Sequence, residues 1–260
     1  MALVTGIDIG SLTAKIVILS SKNDHIQQLY SHIQRVGYNP SGIAKKLINL
    51  AKEALEIQNF EFIVATGYGR KLVQQADKKI TEITCHARGA FFINPIIRTV
   101  IDIGGQDSKA IRIDGRGNIQ DFEMNDKCSA GTGRFLEVMA DALGVTLSEF
   151  GNLALNSTNP AVISNTCTVF AESEVISRLN QGANRIDIIA GIHKSIADKI
   201  TTLTSRVGVQ PTVALTGGVA LNPGVKVMLE KRLKIPIEIP TEPQMVGALG
   251  AALLALKYVN

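Results

Sequence analysis

The segments GIDIGSLTAK (residues 6–15) and VIDIGGQDSK (residues 100–109) decide the fold of this 260-residue chain. One fixed offset relates three pairs of their residues: Asp8 and Asp102, Gly10 and Gly104, Lys15 and Lys109. A shared offset of this kind predicts an internal duplication. In each copy an apolar strand, a small or polar turn and a second apolar strand predict a β-hairpin.

The turn of each predicted hairpin has the chemistry of a phosphate-binding loop. Glycine and hydroxyl residues leave backbone N–H groups free to bind phosphate oxygens. Asp8 and Asp102 precede the turns and are expected to hold Mg²⁺ through water, because Mg²⁺ dehydrates reluctantly. Lys15 follows the first turn and reaches phosphate as a point charge. Either hairpin alone is also compatible with an ordinary turn.

A third element, LTGGVALN (residues 215–222), is a predicted strand followed by a Gly-Gly turn, which lets the backbone approach a ligand closely. Further strands are predicted near residues 60–66 and 235–239. Helices are predicted near residues 40–57, 134–143, 169–179, 186–207, 225–231 and 244–258.

The order of the three glycine-containing elements resembles that of the actin, sugar-kinase and heat-shock-ATPase superfamily. The resemblance covers essentially the whole chain. It implies an α/β, duplicated actin-like (ribonuclease H-like) fold of two lobes, with ATP or ADP in the cleft. Lobe I is expected in residues 1–98 and lobe II in residues 99–244, while the closing helix (residues 245–260) returns to lobe I. The residues expected to bind the nucleotide are Gly10, Ser11, Leu12, Thr13, Ala14, Lys15, Gly104, Gly105, Gln106, Asp107, Gly217, Gly218, Asn222 and Gln244.

Composition indicates a globular protein, since 45% of the residues are hydrophobic and 19% are charged. The net charge of +4 comes from scattered Lys and Arg, which favours a solvated basic face and no nucleic-acid partner. The N-terminal sequence has no positive start, which argues against a signal peptide. The longest apolar run, residues 246–256, is too short to span a bilayer. We therefore expect a cytoplasmic protein with no membrane partner.

The three cysteines are Cys85, Cys128 and Cys167. An odd count without a secretory signal argues against a disulfide framework. Cys128 lies in a loop that runs straight into a predicted helix, and Cys167 lies just before another. A helix N-terminus favours a thiolate. Both are therefore candidate metal ligands, although either one alone is better explained as an inert, packed cysteine. Cys85 has no partner at ligand spacing and is expected to be structural.

The ligand count predicts a dimer. A cubane iron–sulfur cluster takes four thiolates, and one chain offers two well-placed cysteines. A twofold homodimer presents the same pair from each subunit. A zinc ion bound by four cysteines satisfies the same count, so the cysteines alone leave both metals open.

The string NDKCSAGTGRFLE (residues 125–137) closely resembles the activator components of 2-hydroxyacyl-CoA dehydratases, the 2-hydroxyglutaryl-CoA dehydratase activators among them. Residues 66–70, 100–109, 167–174, 187–193 and 216–220 resemble the same family, so the match is nearly end to end. The resemblance implies that Cys128 and Cys167 bind one 4Fe–4S cluster between two subunits. Leu12 and Leu221 depart from the family pattern, and both belong to the expected nucleotide site.

The family resemblance also implies a function. The chain is expected to be an ATPase that delivers one strongly reducing electron to a 2-hydroxyacyl-CoA dehydratase, with reduced ferredoxin or flavodoxin as its own donor. Three alternatives remain at this point: an ATPase subunit of a benzoyl-CoA reductase, a small-molecule kinase of the same superfamily, and a zinc-bridged dimer without enzymatic activity.

Overall fold

The computed structural model describes residues 2–23, 25–164 and 167–259. Two five-stranded sheets organise the chain. Their strands, in chain order, are β1 (Ala2–Ile9), β2 (Thr13–Lys22), β3 (His25–Arg35), β4 (Phe62–Thr66), β5 (Lys78–Lys79), β6 (Thr99–Ile103), β7 (Ser108–Ile113), β8 (Ile119–Asn125), β9 (Val213–Thr216) and β10 (Ile237–Glu238). The helices are α1 (Pro40–Ala54), α2 (Glu82–Ile93), α3 (Gly133–Ala142), α4 (Leu147–Leu155), α5 (Thr168–Asn180), α6 (Arg185–Val207), α7 (Pro223–Leu233) and α8 (Val246–Leu256).

The two sheets share one topology. The first has the strand order β3-β2-β1-β4-β5 and the second has the order β10-β9-β6-β7-β8, which is the same path read in the opposite direction. In both sheets the central strand pairs antiparallel with its hairpin partner and parallel with the strand on its other side. This match confirms the internal duplication that the fixed sequence offset predicts.

The chain divides into two compact units. The first comprises Met1–Ile97, Ile113–Gln120 and Thr241–Asn260, and the second comprises Arg98–Arg112 and Asp121–Pro240. The first unit contains the sheet β1–β5 with helices α1, α2 and α8. The second contains most of the other sheet, with helices α3 to α7.

Helix α8 packs in the first unit through very small residues. A Cβ added at Gly250 would lie 1.8 Å from the Cys85 carbonyl oxygen of α2, and one added at Gly6 would lie 2.0 Å from the Ala248 oxygen. Only glycine therefore permits these approaches of backbone to backbone. Cys85 is fully buried here, and burial raises the pKa of its thiol to about 12. The thiol is thus protonated at neutral pH.

Helices α3 to α6 form the main difference between the copies. They lie between β8 and β9, whereas the corresponding connection in the first unit, between β3 and β4, holds α1. Their apolar faces join the core of the second unit, in which Phe135 and Phe150 are almost completely buried. Both candidate cluster cysteines belong to this added region. Among the residues that the structure describes, no helix is long and apolar enough to cross a membrane.

Candidate nucleotide and cysteine sites

The two hairpins repeat one pairing of an aspartate with a lysine. The strand register places Asp8 opposite Lys15, and the Lys15 Nζ lies 3.2 Å from the Asp8 Oδ2. In the second hairpin Asp102 faces Lys109, with 3.3 Å between Nζ and Oδ2. The two carboxylates are buried, so each gains from an opposite charge at hydrogen-bond distance.

The second hairpin adds a further contact. The Lys109 Nζ also lies 2.8 Å from the Asp107 Oδ1, within the turn itself. Each turn is closed by a backbone hydrogen bond, from the Gly10 N–H to the Thr13 oxygen at 3.0 Å and from the Gly104 N–H to the Asp107 oxygen at 2.9 Å. The predicted phosphate loops are therefore tight turns at the ends of paired strands.

A threonine followed by a glycine lies beside each aspartate. Thr66 of β4 is in register with Asp8, and Thr216 of β9 is in register with Asp102. The Thr216 hydroxyl donates a hydrogen bond to the Asp102 Oδ1 at 3.0 Å. The next residues, Gly67 (φ +83°) and Gly217 (φ +85°), both have positive φ.

These glycines let the turn pass close to the carboxylate. An added Cβ would lie 2.2 Å from the Asp8 Oδ1 at Gly67 and 2.8 Å from the Asp102 Oδ1 at Gly217. The glycine pattern of the sequence predicts this third element only at residues 215–222. The structure shows that the segment starting at Thr66 is its counterpart in the first unit, and the shared Thr-Gly pair is the signal that identifies it.

Two other predicted nucleotide residues lie in different units. Asn222 begins α7 in the second unit, and its Oδ1 accepts a hydrogen bond from the Val225 N–H at 3.1 Å. Gln244 lies in the turn before α8 and belongs to the first unit. The nucleotide-binding role of both residues stays a prediction.

The loop that contains Cys128 is held by hydrogen bonds. The Asn125 Nδ2 donates to the Cys128 carbonyl oxygen at 2.8 Å, and the Thr132 hydroxyl donates to the Ser129 oxygen at 2.5 Å. The Lys199 Nζ of α6 lies 3.1 Å from the Cys128 Sγ. Burial alone would raise the pKa of the Cys128 thiol, but hydrogen bonds from Lys199 and from the Ala130 N–H, with the Lys199 charge, hold that pKa below its ordinary value.

The two cysteine-bearing segments meet. Cys167 is exposed and is the N-cap residue of α5. Its neighbour Thr168 and the Cys128 neighbour Ser129 form a hydrogen bond between their hydroxyl groups, at 2.6 Å. The structure thus brings the predicted pair of cysteines to adjacent segments. Asn165 and Thr166, which directly precede Cys167 in the sequence, lie outside the described residues.

The turn of the second hairpin is bonded directly to the helix that follows Cys128. The first two N–H groups of α3 donate to this turn, from Gly133 to the Gly104 oxygen at 2.8 Å and from Arg134 to the Gly105 oxygen at 2.9 Å. Thr132, whose hydroxyl holds the Cys128 loop, immediately precedes Gly133. A short chain of hydrogen bonds therefore links the turn after Asp102 to both cysteine segments.

The sulfur donors of the chain lie in two adjacent segments and in one buried helix. In the parts of the chain that the structure describes, no group of three or more His, Cys, Asp or Glu residues is placed to hold a metal ion. Cys128 and Cys167 still offer accessible sulfur donors, since one sulfur accepts two N–H donors and the other belongs to the exposed N-cap residue of α5. Buried Cys85, which keeps its proton, does not.

The fold and these sites define an actin-like ATPase. The model of the BadF/BadG/BcrA/BcrD ATPase family matches residues 5–255, and the chain belongs to that family. It is 48% identical to the 2-hydroxyisocaproyl-CoA dehydratase activator of Clostridioides difficile, over 96% of this chain and 93% of the relative. It is 47% identical to the (R)-2-hydroxyglutaryl-CoA dehydratase activating ATPase of Acidaminococcus fermentans, over 97% and 96% of the two chains.

A solved structure supports the same assignment. The activator of the 2-hydroxyisocaproyl-CoA dehydratase from Clostridium difficile with bound ADPNP has a TM-score of 0.90 to this chain, at 46% identity, over 98% of this chain and 95% of that one. One of the subunits of the benzoyl-CoA reductase of Thauera aromatica is less similar, at 34% identity over 97% of this chain and 93% of the relative. The actin-like fold and the family expected from the sequence motifs are confirmed.

Proposed function

We propose that this chain is an ATP-dependent one-electron donor that activates a 2-hydroxyacyl-CoA dehydratase. The observation that supports this most strongly is the hydrogen-bonded link between the second phosphate turn and the cysteine-bearing segments. A nucleotide that displaced Gly104 and Gly105 would act on the N-terminus of α3 and on the adjoining Cys128 loop. The names of the nearly full-length relatives agree with a dehydratase as the partner.

In this proposal Cys128 and Cys167 of two subunits together hold one 4Fe–4S cluster. The bound cluster supplies a single low-potential electron. The chain provides thiolates whose neighbours favour negative charge, namely the Lys199 ammonium and the Ala130 N–H at Cys128. Because one chain offers only these two placed thiols, the remaining two ligands come from a second copy, and the working protein is a homodimer.

The nucleotide is proposed to bind to the two hairpin turns and the Gly217 turn. Asp8 and Asp102 hold Mg²⁺ through water, and the lysine beside each carboxylate offers a cation to the phosphates. Gly217 and Gly218 lie against the nucleoside. ATP then shifts the equilibrium between two positions of α3 and the Cys128 loop. A ligand shifts such an equilibrium only if it binds one of the two positions more tightly than the other.

The first test is purification without oxygen followed by substitution of each cysteine. Wild-type protein is expected to be brown, to bleach in air and to contain four iron and four sulfide per dimer, as one cubane requires. Cys128→Ala or Cys167→Ala removes two of the four ligands and should abolish iron binding. Cys85→Ala is the matched control and should keep the full cluster, because Cys85 is buried and protonated.

Purification and two further assays separate the alternatives. A colourless dimer with zinc would contradict the proposal and favour the zinc-bridged dimer. A full iron content in Cys128→Ala would contradict the assignment of Cys128 as a cluster ligand. Phosphorylation of an added sugar or acid would favour a small-molecule kinase. Electron delivery to a benzoyl-CoA reductase, with none to a dehydratase, would favour the alternative that the chain is an ATPase subunit of a benzoyl-CoA reductase. Reduced ferredoxin or flavodoxin is the proposed electron donor.

A further inference from the structure

The ammonium group of Lys199 points at a sulfur atom. Its Nζ lies 3.1 Å from the Cys128 Sγ, although the two residues are 71 positions apart in the chain. The aliphatic part of Lys199 packs over the Cys128 loop, where a Cβ added at Gly131 would lie 3.3 Å from the lysine Cδ. Gly131 has φ +87° and no side chain, so the loop leaves room for the lysine to reach the sulfur.

Lys199 differs in this respect from another lysine of α6 and from an arginine of α7, which both pair with a carboxylate. Lys194 of α6 pairs with the Asp198 carboxylate at 3.3 Å, and Arg232 of α7 also bonds to Asp198. Over the described part of the chain, Lys199 forms no ion pair with a carboxylate. Its charge is therefore directed to the Cys128 sulfur, which also accepts a hydrogen bond from the Ala130 N–H.

We infer that Lys199 is a positioning residue that sets the reduction potential of the cluster through Cys128. This rests on the proposed function, since it requires the cluster. The reduced cluster has one more negative charge than the oxidised one, and a cation hydrogen-bonded to a ligand sulfur stabilises the more negative form. Hydrogen bonds around a metal ligand tune the metal in this way. Lys199 thus makes the potential less negative than the thiolates alone would.

The test compares midpoint potentials in oxygen-free redox titrations that are followed by the electron paramagnetic resonance signal of the reduced cluster. Lys199→Met keeps the aliphatic part of the side chain and removes the charge and the donor. Lys199→Arg keeps both. Lys194→Met is the matched control, because it removes a lysine from the same helix that pairs with a carboxylate and not with sulfur. Iron and sulfide are measured for each variant.

Lys199→Met is expected to retain iron and to show a more negative potential, with the one-electron equilibrium changed on the order of tenfold, which is about 59 mV. Lys199→Arg and Lys194→Met should remain near the wild-type value. If Lys199→Met takes up no iron, Lys199→Gln replaces it, with a smaller negative shift expected because a neutral donor remains.

Two outcomes would overturn the inference, and they are distinct from failure of the proposed function. An unchanged potential in iron-loaded Lys199→Met or Lys199→Gln would show that the lysine does not tune the cluster, while the electron-transfer function would stand. An equal shift in Lys194→Met would show a general charge effect. Wild-type protein that binds no iron would instead refute the proposed function.

Discussion

Asp8 and Asp102 occupy the same position in two copies of one fold. Each is buried, each has a lysine at hydrogen-bond distance, and each has a Thr-Gly turn beside it. Burying a carboxylate is unfavourable in free energy unless an opposite charge or hydrogen bonds compensate for the lost water. Buried charged residues with such partners are frequently functional. This repeated arrangement is the reason for proposing that both carboxylates have one role, in binding Mg²⁺ and the nucleotide phosphates.

Replacing either carboxylate by its amide tests this role. Asp8→Asn and Asp102→Asn keep the size of the side chain but remove the charge that attracts Mg²⁺, so the ATPase rate should fall at least about tenfold, as is usual for residues that orient a metal site. Iron content should be unchanged, because the cluster ligands are different residues. Rates are measured as phosphate release at saturating Mg²⁺ and ATP.

Asp121→Asn is the control for these variants, since Asp121 is an exposed residue of β8 outside both hairpin turns. It should leave the rate unaltered. Normal hydrolysis in both hairpin variants would argue against a nucleotide role for the two turns.

At the scale of single residues, the sequence predicts features that are local in the chain but not contacts between residues that are distant in it. The fixed offset between the Asp-Gly-Lys sets identifies both hairpins, because each set is local in sequence. The contact of Lys199 with Cys128 joins α6 to a loop before α3, and no pattern along the chain marks it. The role of Thr66 and Gly67 also escapes prediction, because it becomes visible only when the two sheets are compared.

Helix α3 is the element that joins the proposed nucleotide site to the proposed cluster site. Its first N–H groups are donors without partners inside the helix, as in any α-helix. Here they bind the carbonyl oxygens of Gly104 and Gly105. Any displacement of that turn is therefore applied to the end of α3 that adjoins the Cys128 loop.

Arg134→Pro tests this connection. Proline in the first helical turn is tolerated but lacks an N–H, so the variant loses the hydrogen bond to the Gly105 oxygen while α3 can still form. The spectrum of the reduced cluster should then respond less to ATP than it does in the wild type. The measurement is the ATP-induced change in the electron paramagnetic resonance signal.

Arg134→Ala is the matched control, because it removes the side chain and its ion pair with Glu137 but keeps the N–H. It should respond to ATP as the wild type does. An equal response in Arg134→Pro and Arg134→Ala would show that this hydrogen bond does not transmit the nucleotide signal.

Elements with strong patterns are predicted well, and those with weak patterns are not. The amphipathic helix predicted at residues 134–143 is α3, Gly133–Ala142, and the helix predicted at residues 186–207 is α6, Arg185–Val207. Strands β3 and β8 escape prediction, because neither contains a buried residue and both have a mixed, mostly polar sequence. Helices α2 and α4 escape it as well.

The whole molecule is proposed to convert ATP binding into electron delivery. The family is established by the match over residues 5–255, and the identity to named dehydratase activators extends over almost the entire chain. The short path from the turn after Asp102 to the cysteine segments supplies a physical route by which nucleotide state could alter the cluster's surroundings.

The most direct test of this account is electron transfer under three nucleotide conditions. The reduced dimer is mixed with oxidised 2-hydroxyglutaryl-CoA dehydratase or 2-hydroxyisocaproyl-CoA dehydratase, with MgATP, with MgADP or with no nucleotide. Oxidation of the activator's cluster is followed by absorbance. We predict rapid transfer with MgATP and little or none in the other two conditions. The reason is that a nucleotide favours the conformation that transfers the electron only if it binds that conformation more tightly than the other, and we assign this preference to ATP. Equal transfer rates in all three conditions would contradict the account.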